Sequence, residues 1–298
     1  MESGAGRYAP SPTSALHLGN LRTAVLAWLF AKSTGRAFRL RIEDLDPVRA
    51  ADPSVATRQL ADLAALGIGF DPPTVLQSER GAVYGAALDR LAPLTYECFC
   101  TRREIAEAPS APHQPPGFYP GTCRDLTEAE RRARRAERPP ALRIRADAAT
   151  MTVTDVLHGA VTGVVDDFVL RRNDRVYAYN LAVVVDDAAM GVDQVVRADD
   201  LLDSAPRQAW LAERLGVTAP TYAHVPLTVN RDGRRLAKRD GDVTLADLDA
   251  RRVSADQVLG RIAVSLDLAG PGEAVALPDL LNRFDPTRLP RRPWVVDG

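Results

Sequence analysis

The stretch that decides the fold reads Arg7-Tyr-Ala-Pro-Ser11-Pro-Thr-Ser-Ala-Leu-His17-Leu-Gly19-Asn20-Leu-Arg-Thr, followed further on by Arg36-Ala-Phe-Arg-Leu-Arg-Ile42. Arg7 to Ala9 and Arg36 to Ile42 read as short strands. Between them Leu21, Val25, Trp28 and Leu29 recur at helical spacing, so Leu18 to Ser33 reads as a helix. A strand–helix–strand unit of this length implies a parallel pair. The expected fold class is therefore α/β. His-x-Gly-Asn opens the helix, where free N–H groups and the positive end of the dipole suit a phosphate. Gly19 would let a flat ligand approach the backbone. Read alone, the tetrapeptide is better taken as an N-cap beside a surface histidine. It is neither a Walker loop nor a Gly-x-Gly-x-x-Gly turn, so those nucleotide folds gain no support.

Outward from this unit, Pro53 opens a second helix running to about Leu66, and Val83 to Leu91 is a third. Strands are expected at Ala141 to Arg145, Val164 to Leu170 and near Gln194 to Arg197. Tyr177-Ala-Tyr179-Asn180 leads into the apolar run Leu-Ala-Val-Val-Val and then Asp186-Asp187. Polar residues beside a buried run point to the pocket edge of a sheet. Leu202 to Leu215 reads as an amphipathic helix. Thr228 to Ala237 reads as a β-hairpin turning on Asp232-Gly233. From Thr244 onward the pattern is helical with a Pro-rich tail.

The 298 residues are 46% hydrophobic and 26% charged, which excludes a disordered or collagen-like chain. The longest apolar run, Ala24 to Ala31, falls far short of the roughly 18 residues of a membrane span. The N-terminus has no basic patch followed by an apolar stretch, so a cytoplasmic location is expected. Net charge is −1, from 38 basic and 39 acidic residues. That mean neither indicates nor excludes a nucleic acid, because local patches bind against a neutral average. Only Lys32 and Lys238 are lysines among those basic residues. A retained lysine is informative where a compact ammonium must reach a phosphate. Lys238 sits in Arg234-Arg235-Leu236-Ala237-Lys238-Arg239-Asp240, a basic loop suited to polyphosphate.

Three cysteines, Cys98, Cys100 and Cys123, fall in one Pro-rich segment with an Arg/Glu-rich helix from about Thr127 to Glu137. Clustered soft ligands suggest zinc; three ordinary small cysteines is the bland alternative. Imidazole chemistry nominates His113 as fourth ligand. The basic helix reads as a solvated face more readily than as a nucleic-acid contact. In Arg39-Leu-Arg41-Ile-Glu43-Asp44-Leu-Asp46, the charges end a strand of a parallel sheet, where ligands bind. They could form salt bridges, or Glu43 could take an ammonium.

Taken in order, these motifs resemble a class I aminoacyl-tRNA synthetase of the glutamyl type. His17-Leu-Gly19-Asn20 is similar to the HIGH signature, and Arg235-Leu-Ala-Lys238-Arg239 to KMSKS. Arg7-Tyr8-Ala9-Pro10-Ser11, Arg41-Ile-Glu43-Asp44 and the segment from Tyr179 to Asp187 resemble glutamate-pocket segments. About 50 residues follow the KMSKS-like loop, too few for a full anticodon-binding domain. The resemblance is thus to the truncated paralogues, the glutamyl-Q tRNA(Asp) synthetase family, whose Cys-x-Cys…Tyr…Cys element matches Cys98, Cys100, Tyr119 and Cys123. It prefers Tyr119 over His113 as the fourth zinc ligand.

The resemblance implies a Rossmann-like, parallel-sheet catalytic core in two parts, 1–95 and 141–243. A small zinc-binding insertion over 96–140 separates them, and a short helical C-terminal region, 244–298, follows. It implies a ligase that activates L-glutamate with ATP and passes the glutamyl group to queuosine in the anticodon of tRNA(Asp). Arg7, Tyr8, Ala9, Pro10, Ser11, Glu43, Tyr179 and Arg197 would bind glutamate. His17, Gly19, Asn20 and Lys238 would hold ATP, with His17 and Lys238 catalytic. Mg²⁺ would accompany ATP, one Zn²⁺ would be structural, and the chain would act as a monomer without a membrane partner. The chain departs from the signatures at Asn20, Arg235 and Ala237. Ala237 removes a hydroxyl that could tether the loop. Two alternatives are a catalytic fragment that charges the tRNA 3′ end and a non-catalytic tRNA- or amino-acid-binding paralogue.

Overall fold

The computed structural model describes residues 4–50, 52–107, 118–236 and 244–296. Strand β1 (Ala5–Tyr8), helix α1 (Leu18–Ser33) and strand β2 (Ala37–Ile42) form the expected unit, with Ala5 opposite Ala37 in a parallel pair. Helix α1 buries Leu21, Val25, Leu26 and Leu29, and its apolar residues run around most of its surface, as suits a helix packed on several sides. It ends at Thr34 and Gly35, the latter in the left-handed region at φ 69° that glycine enters without strain. Helix α2 (Pro53–Ala65) starts from Asp52, whose carboxylate accepts the Ser54 N–H, with proline at the first helical position. Strand β3 (Asp71–Leu76) adds to β2 in parallel, and helix α3 (Gly81–Arg90) follows.

The chain then builds a separate antiparallel sheet from β4 (Thr95–Cys98), β5 (Ala141–Ile144) and a later strand, with helices α4 (Arg102–Glu107) and α5 (Glu128–Glu137) between the first two strands. Arg135 of α5 pairs with Glu97 and Glu128, as expected of a solvated face. Strands β6 (Ala149–Asp155) and β7 (Gly159–Val165) form a hairpin in the large sheet, and β8 (Val169–Arg171) closes the small one beside β5. The single strand expected over Val164 to Leu170 is therefore two. The corner between them carries Asp166 and Asp167, whose carboxylates turn inward. Asp167 accepts from Tyr96 Oη at 2.6 Å, Arg124 Nε at 2.8 Å and the Ala146 N–H at 2.8 Å. Satisfying a buried carboxylate in this way leaves no straight path for the strand.

A second correction concerns the apolar run after Tyr179. It is helical, α6 (Tyr179–Ala189), rather than the edge of a sheet. Its β-branched residues favour strand locally, but packing on helix α7 (Ser204–Arg214) and on α3 overrides that preference. Strand β9 (Val192–Ala198) lies between α6 and α7, and β10 (Thr221–Val225) follows. The expected hairpin shrinks to β11 (Thr228–Val229), a turn at Asn230–Gly233 and one bridge from Val229 to Arg235. Ala237 lies outside the described residues. Helices α8 (Leu245–Ala250), α9 (Ala255–Ser265) and α10 (Leu277–Arg283) complete the chain with β12 (Trp294–Val295), which pairs with β11. Val258, Ile262 and Leu280 from these helices share a core with α1.

The large sheet runs β3-β2-β1-β9-β10-β6-β7, parallel except for the last hairpin. The order reverses between β1 and β9, so the chain leaves a crevice beyond their carboxyl ends, where open α/β sheets bind ligands. Arg7 near the end of β1 and Arg197 near the end of β9 face that crevice. Among the described residues, no helix is long and apolar enough to cross a membrane.

Candidate active site and cysteine cluster

The crevice is a cavity of about 510 Å³ whose walls include Arg7, Ser11, His17, Asn20, Glu43, Tyr179, Arg197 and Arg235. The floor is a lattice of buried charge. Arg41, fully buried, donates to Asp187 Oδ1 at 2.5 Å and to Glu43 Oε1 at 3.0 Å. Arg7 donates from Nη1 to the Val196 carbonyl at 2.9 Å, and its Nε lies 3.7 Å from Asp187. Asp186, one residue earlier in α6, accepts from Gln77, Arg80 and Tyr84. The aspartates at the end of α6 therefore neutralise the arginines of β1 and β2 across more than a hundred residues of sequence. Burial lowers the Arg7 pKa against the pull of Asp187. Burial also raises the Glu43 pKa, and the attraction of Arg41 does not cancel it.

The loop from Tyr8 to Ser14 is pinned from two sides. Glu43 donates its N–H to the Pro10 carbonyl at 2.9 Å. Gln59 of α2, almost fully buried, donates to the Ser11 and Ser14 carbonyls at 3.0 and 2.6 Å. Ala9 and Pro10 thus present backbone to the cavity, and Tyr8 donates its hydroxyl to the Asn20 carbonyl at 3.2 Å. Tyr179, at the start of α6 and 38% exposed, receives Arg197 Nη1 at 3.5 Å.

His17 caps α1. Its Nδ1 accepts the Gly19 and Asn20 N–H groups at 3.1 and 3.4 Å, and Asn20 Oδ1 accepts the His17 N–H. The Gly19 amide is therefore taken by the imidazole and the Asn20 amide is shared between it and the His17 carbonyl at 2.8 Å, so what reaches the cavity from this terminus is the dipole and the side chains of His17 and Asn20. A Cβ on Gly19 would lie 3.0 Å from the His17 ring and 3.1 Å from Thr228, so a side chain there would disturb the cap. Arg235 closes the far wall and is ion-paired with Asp200. Lys238 and Ala237 lie outside the described residues.

A second cavity, about 900 Å³, shares Ser11, Thr13, Glu43 and Tyr179 with the first and extends to Cys98–Arg102 of the small sheet. There the sulfurs of Cys98, Cys100 and Cys123 lie within 4.8 Å of one another. Cys100 and Cys123 are 3.5 Å apart, close to the roughly 3.8 Å that two thiolates span on a tetrahedral zinc with bonds of about 2.3 Å. The Tyr119 hydroxyl is 3.3 Å from Cys98, 3.7 Å from Cys100 and 2.9 Å from the Cys123 N–H it accepts. The four donors converge, so the set fits a structural cation of zinc type. Burial keeps the Tyr119 phenol protonated, and contact with Cys123 raises Cys98 while lowering Cys123. Without a cation, these three thiols would not ionise together; a zinc ion would compensate that charge. His113 lies outside the described residues.

Sequence reasoning missed Gln59, Gln208, Asp155 and His224. Gln208 donates to Asn180 at 3.0 Å and accepts from Arg197 at 2.8 Å, while His224 takes the Arg197 Nε–H at 2.9 Å. The usable signal was a histidine inside an otherwise apolar strand, one of only four in the chain.

Residues 5–297 match the family model described as tRNA synthetases class I (E and Q), catalytic domain. The glutamyl-Q tRNA(Asp) synthetase of Nocardia farcinica is 60% identical, covering 98% of this chain and 93% of that protein. That of Symbiobacterium thermophilum is 45% identical, covering 97% and 94%. A glutamate tRNA ligase from Elizabethkingia meningosepticum, solved with its amino acid, superposes with a TM-score of 0.82 at 26% identity. It covers 99% of this chain and 67% of that one. With its parallel sheet, its charged crevice and these relatives, the chain belongs to the glutamyl-Q tRNA(Asp) synthetase family of class I tRNA synthetases.

Proposed function

We propose that the chain activates L-glutamate with ATP and transfers the glutamyl group to the queuosine base in the anticodon of tRNA(Asp), and that the crevice at the β1–β9 switch point is where activation occurs. What supports the assignment of residues is a single feature: one cavity is lined by Arg7, Glu43, Tyr179 and Arg197 together with His17, Asn20 and Arg235. The first group suits an amino acid. Glu43 offers a carboxylate to the ammonium, the backbone of Ala9 to Ser11 lines the entry, and Arg197 suits the side-chain carboxylate. The second group suits a polyphosphate, with Lys238 added from the loop beyond Leu236.

In this reading the glutamate α-carboxylate attacks the α-phosphorus of ATP. The bond to the bridging oxygen breaks, and pyrophosphate leaves with the electron pair. No protein nucleophile is required, so the residues act by placing the reactants and by offsetting charge on the departing phosphates. The His17 cap holds the start of α1 against the phosphates, and Mg²⁺ would accompany ATP. Cys98, Cys100, Cys123 and Tyr119 would hold one zinc, which fastens the small sheet rather than joining the chemistry. The chain would work as a monomer in the cytoplasm. In the same proposal it divides into core parts 1–95 and 141–243, insertion 96–140 and C-terminal region 244–298.

The test is transfer of radiolabelled glutamate, with ATP, to tRNA(Asp) with or without queuosine, using tRNA(Glu) as control. Label on queuosine-containing tRNA(Asp) alone is expected. Label on tRNA(Glu) would replace this reading with 3′-end charging, and absence of both label and adenylate would make the chain a binding protein. Lys238→Ala should slow adenylate formation by about 10²–10³-fold while leaving glutamate binding nearly intact. Unchanged adenylate formation would remove Lys238 from its role.

A further inference from the structure

Arg197 is held from behind by a pair of residues that do not line the cavity. Its Nε–H points at His224 Nε2, 2.9 Å away. A guanidinium has five N–H donors and no acceptor, so the nitrogen it faces must carry a lone pair. The imidazole proton then sits on Nδ1, which lies 2.6 Å from Asp155 Oδ2. The same oxygen accepts the His224 N–H at 3.0 Å, and the other oxygen accepts the N–H groups of Leu157 and His158 at 2.8 and 3.0 Å. Asp155 and His224 are both almost completely buried. The Arg197 donors to Gln208 and to the Leu201 carbonyl fix two further directions of the fork. Among the described residues one Nη2 N–H remains uncommitted, and the Nη1 contact to Tyr179 is long at 3.5 Å. These are the donors left for a ligand.

We propose that His224, kept neutral and protonated on Nδ1 by Asp155, is the positioning residue that aims Arg197 at the side-chain carboxylate of the substrate, and that protonating His224 releases this aim. The inference rests on the reading of Arg197 as a glutamate-pocket residue. A protonated His224 would set an N–H against the Arg197 N–H and place two cations 2.9 Å apart. The charges around the ring come from β6, β9 and the residues that follow them. Asp155 on β6 favours the proton. Arg197 on β9 and His158 in the β6–β7 turn oppose it, and Asp199, after β9, acts on His158. Tyr222 on β10 stacks beside the ring, its centroid 5.8 Å away, and carries no charge at neutral pH. Burial, with Arg197, lowers the His224 pKa below the ordinary histidine value. Glutamate affinity should therefore be flat at neutral pH and fall only on the acid side of that value.

Glutamate-dependent ATP–pyrophosphate exchange, run from about pH 5 to about pH 8, tests this with three variants. His224→Asn keeps a donor for Asp155 but loses the acceptor for Arg197. It should raise the glutamate KM roughly tenfold or more, with kcat and the ATP KM little changed. His224→Gln places an amide oxygen where Nε2 lies. It should restore most of the affinity and abolish the acid-side rise in KM, because nothing there titrates. Arg197→Gln should raise the glutamate KM at least as much as His224→Asn. If Arg197→Gln has no effect, the pocket assignment falls and the proposal with it. If Arg197→Gln weakens glutamate but His224→Asn does not, the positioning role alone is overturned. That role is likewise overturned if His224→Gln keeps the acid-side rise, which would then belong to Glu43.

Discussion

The crevice and the cysteine cluster handle buried charge in opposite ways. In the crevice, Arg7, Arg41, Asp186 and Asp187 are already paired, with Glu43 beside them. The charges are paired before a ligand arrives, and the arrangement leaves selected donors, such as those of Arg197, for a ligand. In the small sheet the donors converge on one another: three sulfurs and a phenol meet, with the Arg143 guanidinium over the Tyr119 ring and Arg134 beside Cys123, and burial and mutual contact keep Tyr119 and Cys98 protonated. On the proposed function, one region receives a substrate and the other a cation. The contrast also lies along the chain. The crevice is assembled from residues up to about 190 positions apart, whereas the cluster spans Cys98 to Cys123.

Withdrawing the proposed zinc should give the largest effect, because on that proposal only the cluster depends on something outside the chain. Structural zinc in small zinc-finger peptides contributes about 10–16 kcal/mol at neutral pH. A strong chelator should release one zinc per chain and abolish the order of β4 and β5 while leaving the large sheet folded. Zinc counted by a colorimetric dye and amide exchange mapped over residues 95–144 would measure both. Retention of exchange protection after metal removal would show that the cluster stands on its own packing, as the crevice does.

Within the crevice the corresponding weak point is Asp187, which neutralises two buried arginines. Asp187→Asn keeps the shape but leaves Arg41 with Glu43 and a 3.9 Å contact to Asp186. Breaking a buried pair costs about 3–5 kcal/mol. Denaturant titration should record that loss over the whole cooperative unit rather than over the small sheet. A loss below about 1 kcal/mol would mean that Glu43 and Asp186 suffice, and that the lattice is redundant rather than minimal.

The same contrast explains what could be read from the sequence. The β1–α1–β2 unit was legible because its pattern is local: apolar spacing sets α1 from Leu18 to Ser33, and Gly35 stops it. The cysteine cluster was legible for the same reason, although spacing alone left zinc and the fourth ligand open. The crevice was not legible locally. Arg41 read only as a charge able to form salt bridges and Asp187 only as a polar residue beside a buried run, and what brings them together is the strand order, which no short motif records. Resemblance nominated the residues proposed for glutamate binding where physics along the chain could not. His224 and Gln208 escaped both routes, since they touch Arg197 from behind and belong to no signature. The helix over Tyr179–Ala189 was misread because a β-branched run reports burial, and burial in α6 comes from neighbours distant in sequence.

The smallest effect distinguishes the regions by the direction in which acid moves them. Burial pushes Asp167 upward, but hydrogen bonds from Arg124, Tyr96 and the Ala146 N–H more than reverse this, so its folded pKa lies below the unfolded one. Its contribution is then fully present above the ordinary aspartate value and is lost as pH falls through the lowered pKa. Glu43 in the crevice is displaced the other way by burial. Its ionised form is a cost at neutral pH, and that cost is relieved as pH falls from the raised pKa to the ordinary glutamate value. Mild acid should therefore first strengthen the crevice and only later weaken the small sheet. Asp167→Asn should lose about 1.5–3 kcal/mol at neutral pH, the range for hydrogen bonds to a charged group. The deficit should shrink once pH falls below the ordinary aspartate value of about 3.9. Glu43→Gln should erase the early gain and leave the late loss intact. Thermal melting of the zinc-loaded chain against pH measures both limbs. A deficit in Asp167→Asn that stays constant into acid would mean that its partners hold Asp167 by shape rather than by charge, and the opposition between the two regions would reduce to the metal alone.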